Sequence, residues 1–230
     1  MSWVLDNLDL IWSLSLDHVR QSVIPIVLGF LIAIPVGWLA WRYTPLRGTV
    51  LTTIGLLYTI PSLGLFALLA ALFGIPYLSE SNLIIALTIY GVAIMTRSVA
   101  DGLESVDAAT RSAAIAVGYG PWRRFWVVDL PLSGPVLLAG LRVTATSTIS
   151  LATVGILIGV QNLGYLFTNG SQRRIIPEVL AGVVAVVVIA LIVDLLLILA
   201  GRLAMPWIPR QGQERRERAA MRRLAAEGIA

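Results

Sequence analysis

The side chains able to do chemistry in this 230-residue chain are few, and arginine is the commonest of them. There is no cysteine, which excludes thiol nucleophiles, disulfides and thiolate metal sites. The one histidine, His18, cannot build a metal cluster alone, so no metal site is expected. No G-x4-GK[ST] phosphate loop occurs, so the chain cannot supply ATP hydrolysis itself. What remains is ion pairing, hydroxyl hydrogen bonding and aromatic docking. Asp194 lies inside a long apolar run, where an unpaired carboxylate is costly enough to mark function. Arg142 and Arg97 fall at similar depth on neighbouring runs, and a structural ion pair of Asp194 with Arg142 is preferred over ion coupling. The run RVTATSTISLATVGILIG spreads Thr144, Thr146, Ser147, Thr148, Ser150 and Thr153 around the whole circumference of a helix. Such a helix either packs against protein on all sides or lines a polar route, with Ser147, Ser150 and Thr153 as route candidates. Pro61, Tyr58, Tyr90 and Tyr165 are further route candidates, the alternative for the tyrosines being packing or interfacial positions.

The elements that must position these residues follow from composition. Hydrophobic residues make up 57% of the chain and charged ones 13%, with a mean hydropathy of +0.85, against about a quarter charged in soluble domains. The expected fold class is all-α, a polytopic membrane protein, since apolar runs of about 20 residues cross a bilayer as helices and no long period-2 alternation points to a barrel. Five spans are expected near Val19–Trp41, Gly48–Phe73, Asn82–Ala100, Val136–Val160 and Pro177–Gly201. Pro25, Pro35 and Pro61 each remove a helical hydrogen bond and tend to bend the helix, through packing irregularity or beside a pathway. Gly155 with Gly159 permits close approach in the fourth span.

The net charge of +4 comes from 17 arginines and no lysine. Arg42 and Arg47 follow the first span, Arg97, Arg111, Arg123 and Arg124 the third, and Arg202 with a basic tail the fifth. Positive-inside topology explains this pattern without a nucleic-acid partner, and places the N-terminus outside and the C-terminus in the cytoplasm. No cleavable signal is expected in the acidic N-terminus. Residues 1–18 suit a helix on the outer surface, and the tail over 202–230, with Glu214 and Arg218 four apart, suits a solvated or membrane-surface helix, a regulatory role being the alternative.

Between the third and fourth spans, over 101–135, lies SAAIAVGYGPWRRFWVVDLP, Ser112 to Pro131. Its small-residue helix ends at Gly118, and Gly120 with Pro121 starts a second one. Trp122, Phe125 and Trp126 then share one face, with Arg123 and Arg124 turned away, until Leu130 and Pro131 end the unit. On spacing this aromatic face serves either lipid headgroups or a soluble partner. The pattern SAA-x3-G-x9-V-x-LP, at Ser112, Ala113, Ala114, Gly118, Val128, Leu130 and Pro131, resembles the EAA motif of importer-type ABC permeases, with Ser112 where glutamate is usual. The resemblance runs from about Val19 to Arg202 and implies a type I permease fold. It implies that Ser112, Ala113, Ala114, Gly118, Gly120, Trp122, Phe125 and Pro131 couple the chain to a cytoplasmic ATPase.

Two further stretches, LLYTIPSLGLFALLAALFGI and the run with Ala152, Thr153, Gly159 and Gly164, are similar to the osmoprotectant subgroup, which handles glycine betaine, choline, carnitine or proline betaine. Implied partners are ABC ATPase subunits that carry ATP and Mg, a second permease subunit, identical or paralogous, an external solute-binding protein and the lipid bilayer. The implied location is the bacterial cytoplasmic membrane. No cofactor is expected in this chain, and no enzymatic activity of its own. Import of an amino acid such as methionine fits the coupling loop equally, and a non-transporting scaffold is the reading from another class.

Overall fold

A computed structural model of the chain describes residues 2–207. The basic tail expected beyond Arg210, with Glu214 and Arg218, lies outside the described residues. After a short α1 (Ser2–Asp6), α2 runs unbroken from Leu8 to Arg42. The helix thus starts at Leu8, eleven residues before the expected Val19, because no glycine or proline interrupts that stretch. Its 35 residues reach about 52 Å, well beyond the ~30 Å hydrocarbon core. The first turns are not an isolated surface helix: Trp3, Leu10 and Ile11 pack with Leu14 against Ile189 and its neighbours on the last helix.

The expected second span, Gly48–Phe73, is two helices. α3 (Thr44–Thr59) and α4 (Ser62–Phe73) meet at an angle of 106°. Pro61 has no N–H to continue the ladder and holds the preceding Ile60 in an extended conformation (φ −67°, ψ 125°). After it comes α5 (Glu80–Glu104), capped by Ser79, whose hydroxyl accepts from the Asn82 N–H at 3.2 Å. α5 is the central helix, packed on α2, α3, α4 and the fourth span.

The α2–α5 contact is the most extensive between helices among the described residues. Gly29, Ala33, Gly37 and Ala40 are all buried on one stripe of α2, so the two backbones approach without intervening side chains. A Cβ at Gly29 would sit 3.2 Å from the Gly91 backbone, and one at Gly37 2.6 Å from the Val99 side chain.

A short α6 (Ala108–Ala116) precedes a helical path from Pro121 to Ile158, longer than the expected Val136–Val160. It comprises α7 (Pro121–Arg124), a π-helical turn (Phe125–Asp129), α8 (Leu130–Ala152) and a 3-10 segment (Thr153–Ile158). Pro131 does not end a unit, as the sequence led us to expect; it sits in the first turn of α8, where its missing N–H costs little. Gly155 does meet a neighbour closely, at Leu83, but Gly159 has open space around it and φ +74°. Gly159 is therefore a left-handed stop to the helix and not a packing position. α9 (Gly164–Arg173) and α10 (Ile176–Ala204) complete the fold, α9 filling the interval between the expected fourth and fifth spans.

α8 and α10 are joined by charge. Arg142 donates from Nε to Asp194 Oδ1 at 2.5 Å and from Nη2 to Oδ2 at 2.8 Å, a bidentate geometry. Arg97 lies instead 3.9 Å from Asp101 on its own helix.

Two outcomes are expected. Gly29→Val should destabilise the protein by about 1–3 kcal/mol, since the Gly91 backbone cannot rotate aside, whereas Gly48→Ala, where a Cβ meets nothing within 4 Å, should stay within about 0.5 kcal/mol; thermal unfolding in detergent measures both. Asp194→Leu should lower the yield of folded protein by stranding Arg142, and the double change Arg142→Met with Asp194→Leu should recover it, because losing one partner of such a pair harms more than losing both.

Candidate functional site

The segment between α5 and α8 is built from local signals. Asp107 caps α6, its carboxylate accepting from the Thr110 N–H at 3.3 Å. Within α6, Ser112 and Ala113 face outward and Ala114 is buried. Gly118 then takes φ +89°, which a side chain would resist. Gly120 precedes Pro121, a good first residue for the next helix. The resulting corner projects Ile115, Val117 and Trp122, which are 56%, 74% and 68% exposed. Three large apolar tips around a glycine turn form a docking surface for protein or lipid, not a catalytic site.

The aromatic face expected on the second helix is divided between two jobs. The rings of Trp122, Phe125 and Trp126 are mutual neighbours at 5.0–6.3 Å. Phe125, however, is buried and meets Trp38 of α2 edge-on at 6.0 Å, so it anchors the corner to the bundle while Trp122 stays outside. The arginines are not simply turned away either. Arg123 stacks 4.8 Å over Tyr119, and Arg124 folds back.

Arg124 folds toward Asp129, the residue that sequence reasoning missed. Asp129 is fully buried. Its Oδ1 accepts from Arg111 Nε at 2.9 Å and its Oδ2 from Arg124 Nε at 3.1 Å. Arg111 also donates from Nη2 to the Leu103 carbonyl at the end of α5, and its guanidinium lies 4.8 Å over the Trp41 ring at the end of α2. A carboxylate enclosed this way is tolerable only because both oxygens meet cations. The available signal was a lone acid in WVVDLP, the one carboxylate between Asp107 and Glu178. Nearby, Arg47 of α3 reaches Asp101 at 3.4 Å and Glu104 at 3.2 Å, binding the start of α3 to the end of α5.

A second cluster lies at the break between α3 and α4. Tyr90 donates its hydroxyl to the Ile60 carbonyl at 2.6 Å, satisfying an acceptor freed by the bend. Tyr58, 46% exposed, packs edge-on to Tyr90 at 5.6 Å, and Pro61 follows directly. Leu151, Ala152 and Val154 pack in the cluster around Tyr90. Among them, Ser150 is exposed and Thr153 half-buried, with the Thr153 hydroxyl donating to the Ser150 carbonyl at 2.7 Å, and Ser147 lies one turn earlier, also half-buried. Tyr165 is not brought here; it packs in another cluster with Leu14 and Ile189.

At the end of the bundle opposite the glycine corner, buried amides hold the chain where α8 turns into α9. Asn162 Nδ2 donates to Gln21 Oε1 at 3.0 Å and to the Ala152 carbonyl at 2.8 Å, while its Oδ1 accepts from the Gly164 N–H at 2.8 Å. Beside it an open hollow of about 300 Å³ is lined by Asp17, Arg20, Gln21, Glu80 and Gln161, with Arg20 2.7 Å from Glu80. Among the described residues no group of three His, Asp or Glu side chains converges as a metal site.

The family model of the binding-protein-dependent transport system inner membrane component matches residues 20–208. The chain is 30% identical over 192 residues to the choline transport system permease protein OpuBB of Bacillus subtilis (strain 168), covering 83% of this chain and 86% of that protein. It is also 30% identical over 200 residues to the osmoprotectant import permease protein OsmW of Salmonella typhimurium (strain LT2), covering 85% and 92%. Among solved structures, the inward-facing MetNI methionine ABC transporter superposes with a TM-score of 0.71 over 88% of this chain and 98% of that one, at 21% identity, which speaks for the fold. The match across the spans and the glycine corner together leads to one conclusion: the chain belongs to the family of binding-protein-dependent transport system inner membrane components.

Proposed function

We propose that this chain is the permease subunit of an ATP-driven importer of trimethylammonium osmoprotectants such as choline and glycine betaine. The observation that carries the reading is the corner at Gly118–Gly120, which presents Ile115, Val117 and Trp122 on the spacing of the coupling motif. An ATPase subunit docks there and closes on ATP and Mg that it holds itself. The chain contributes no phosphate loop and acts only as a transport subunit. Ser112 is exposed and carries no charge, so docking relies on apolar burial at the tips and not on an acidic contact.

The arginine-flanked end is the cytoplasmic one, with the N-terminus outside. The opposite end, with its hollow around Arg20 and Glu80, then receives the external binding protein. A second permease subunit completes the route, since α3 buries none of its residues within this chain. Tyr58 flanks that route at the break, backed by the buried Tyr90, and its exposed electron-rich ring attracts a quaternary ammonium by cation–π contact. Ser147, Ser150 and Thr153 of α8 are the hydroxyls assigned to the same route. The solute class rests on the relatives, which carry choline and osmoprotectants by name.

Deleting the chain should abolish uptake of labelled choline and glycine betaine under osmotic upshift and leave methionine uptake intact; the reverse pattern would overturn the solute assignment. Trp122→Ala should weaken ATPase binding by about 2 kcal/mol, roughly 30-fold, as for a central aromatic of an interface. Titrating the ATPase against the permease in nanodiscs measures this, and unchanged affinity would remove Trp122 from the docking surface.

A further inference from the structure

We propose that Asp129 is a positioning residue that carries displacement of the docking corner into the ends of α2 and α5. The inference rests on the coupling role given above and concerns how a push at the corner leaves it.

The corner itself touches little. A Cβ at Gly118 or Gly120 would meet nothing within 4 Å, and the tips on either side of them, Ile115, Val117 and Trp122, are exposed. Its two flanks, α6 and α7, must therefore be joined behind the corner, or ATPase motion would merely flex the glycine turn. Asp129 is that joint. Arg111 belongs to α6 and Arg124 to α7, and each gives one Nε to a different oxygen of the same carboxylate. Substituting Asp129 thus removes an ionic partner from both flanks at once, whereas substituting either arginine removes one from its own flank alone.

The joint depends on the π turn. Arg124 and Asp129 are five residues apart, which in an α-helix leaves them about 140° apart around the axis, but a π turn brings residues five apart onto one face. The wider turn over Phe125–Asp129 is what lets Asp129 meet Arg124 while also reaching Arg111. From Arg111 the connection continues outward by two contacts, to the Leu103 carbonyl on α5 and to the Trp41 ring on α2. Those helices share the most extensive helix–helix contact among the described residues, so a displacement of one is passed to the other. Phe125 against Trp38 adds a parallel contact to α2 that involves no charge.

Two separable roles follow. The tips decide whether the ATPase binds, and Asp129 decides whether its motion reaches the spans. Asp129→Asn keeps the size of the side chain but turns one acceptor into a donor facing a guanidinium. In nanodiscs assembled with the ATPase and binding protein, and probed with labelled choline, it should leave ATPase affinity unchanged and ATP hydrolysis running. Choline moved per ATP hydrolysed should fall at least fivefold. Arg124→Gln, which leaves Arg111 to neutralise Asp129, should lower the same ratio by a smaller factor and serves where Asp129→Asn does not assemble. A wild-type ratio in the assembled variants would overturn the proposal, as would weakened ATPase binding at an unchanged ratio. Wild-type complexes that bind no ATPase and move no choline would instead overturn the functional reading beneath it.

Discussion

The backbone contact between α2 and α5 is the constraint on which the other features depend. In a bilayer there is no hydrophobic drive to press two helices together, so association relies on close packing and shared polar contacts. The stripe of Gly29, Ala33, Gly37 and Ala40 supplies that packing over about 16 Å, roughly half of the ~30 Å apolar layer. Because neither backbone can move without separating from the other, the pair is a stiff frame. Each candidate site is attached to it: Tyr90 of α5 holds the broken second span, and Trp41 with the Leu103 carbonyl receives Arg111.

The departures from regular helix are found where the frame meets moving parts. Pro61 opens the second span, and the carbonyl it frees is taken up by a tyrosine of the frame. The π turn widens the path into α8 and brings a buried acid between two arginines. The 3-10 segment and Gly159 end α8 at the other end, where Asn162 satisfies the Ala152 carbonyl and the Gly164 N–H, and Gln21 the Gln161 carbonyl. At the Pro61 bend and after Gly159 a broken backbone ladder would be expensive in hydrocarbon, and Tyr90 and Asn162 make good the missing bonds.

The glycine corner was legible in the sequence because its signals are local. A left-handed glycine, a Gly–Pro helix start and an aspartate cap act within four residues. The all-α membrane class was equally plain from composition, and so was the Arg142–Asp194 contact as a guess from depth. Other features were hidden for identifiable reasons. Pro61 announces a bend but not its size, and the Tyr90 hydroxyl that takes up the Ile60 carbonyl comes from thirty residues beyond Ile60. Arg111 and Asp129 are eighteen residues apart, and Arg124 and Asp129 pair only in a register that α-helical spacing forbids. Gly159 was read by its proximity to Gly155, although one serves conformation and the other packing.

Charge at the glycine corner is arranged so that little of it reaches a partner. Arg111 and Arg124 are committed to Asp129, Arg47 to Asp101 and Glu104, and Arg123 lies on Tyr119. The exposed pairs among these contribute little stability singly, but they leave the tips of Ile115, Val117 and Trp122 as the distinguishing surface. Under the proposed reading, recognition of the ATPase then depends on shape and apolar burial, and the loss of the usual acidic residue at Ser112 is consistent with that design. Asp129, buried behind the corner, directs its charge inward to Arg111 and Arg124, where it fixes geometry inside the chain.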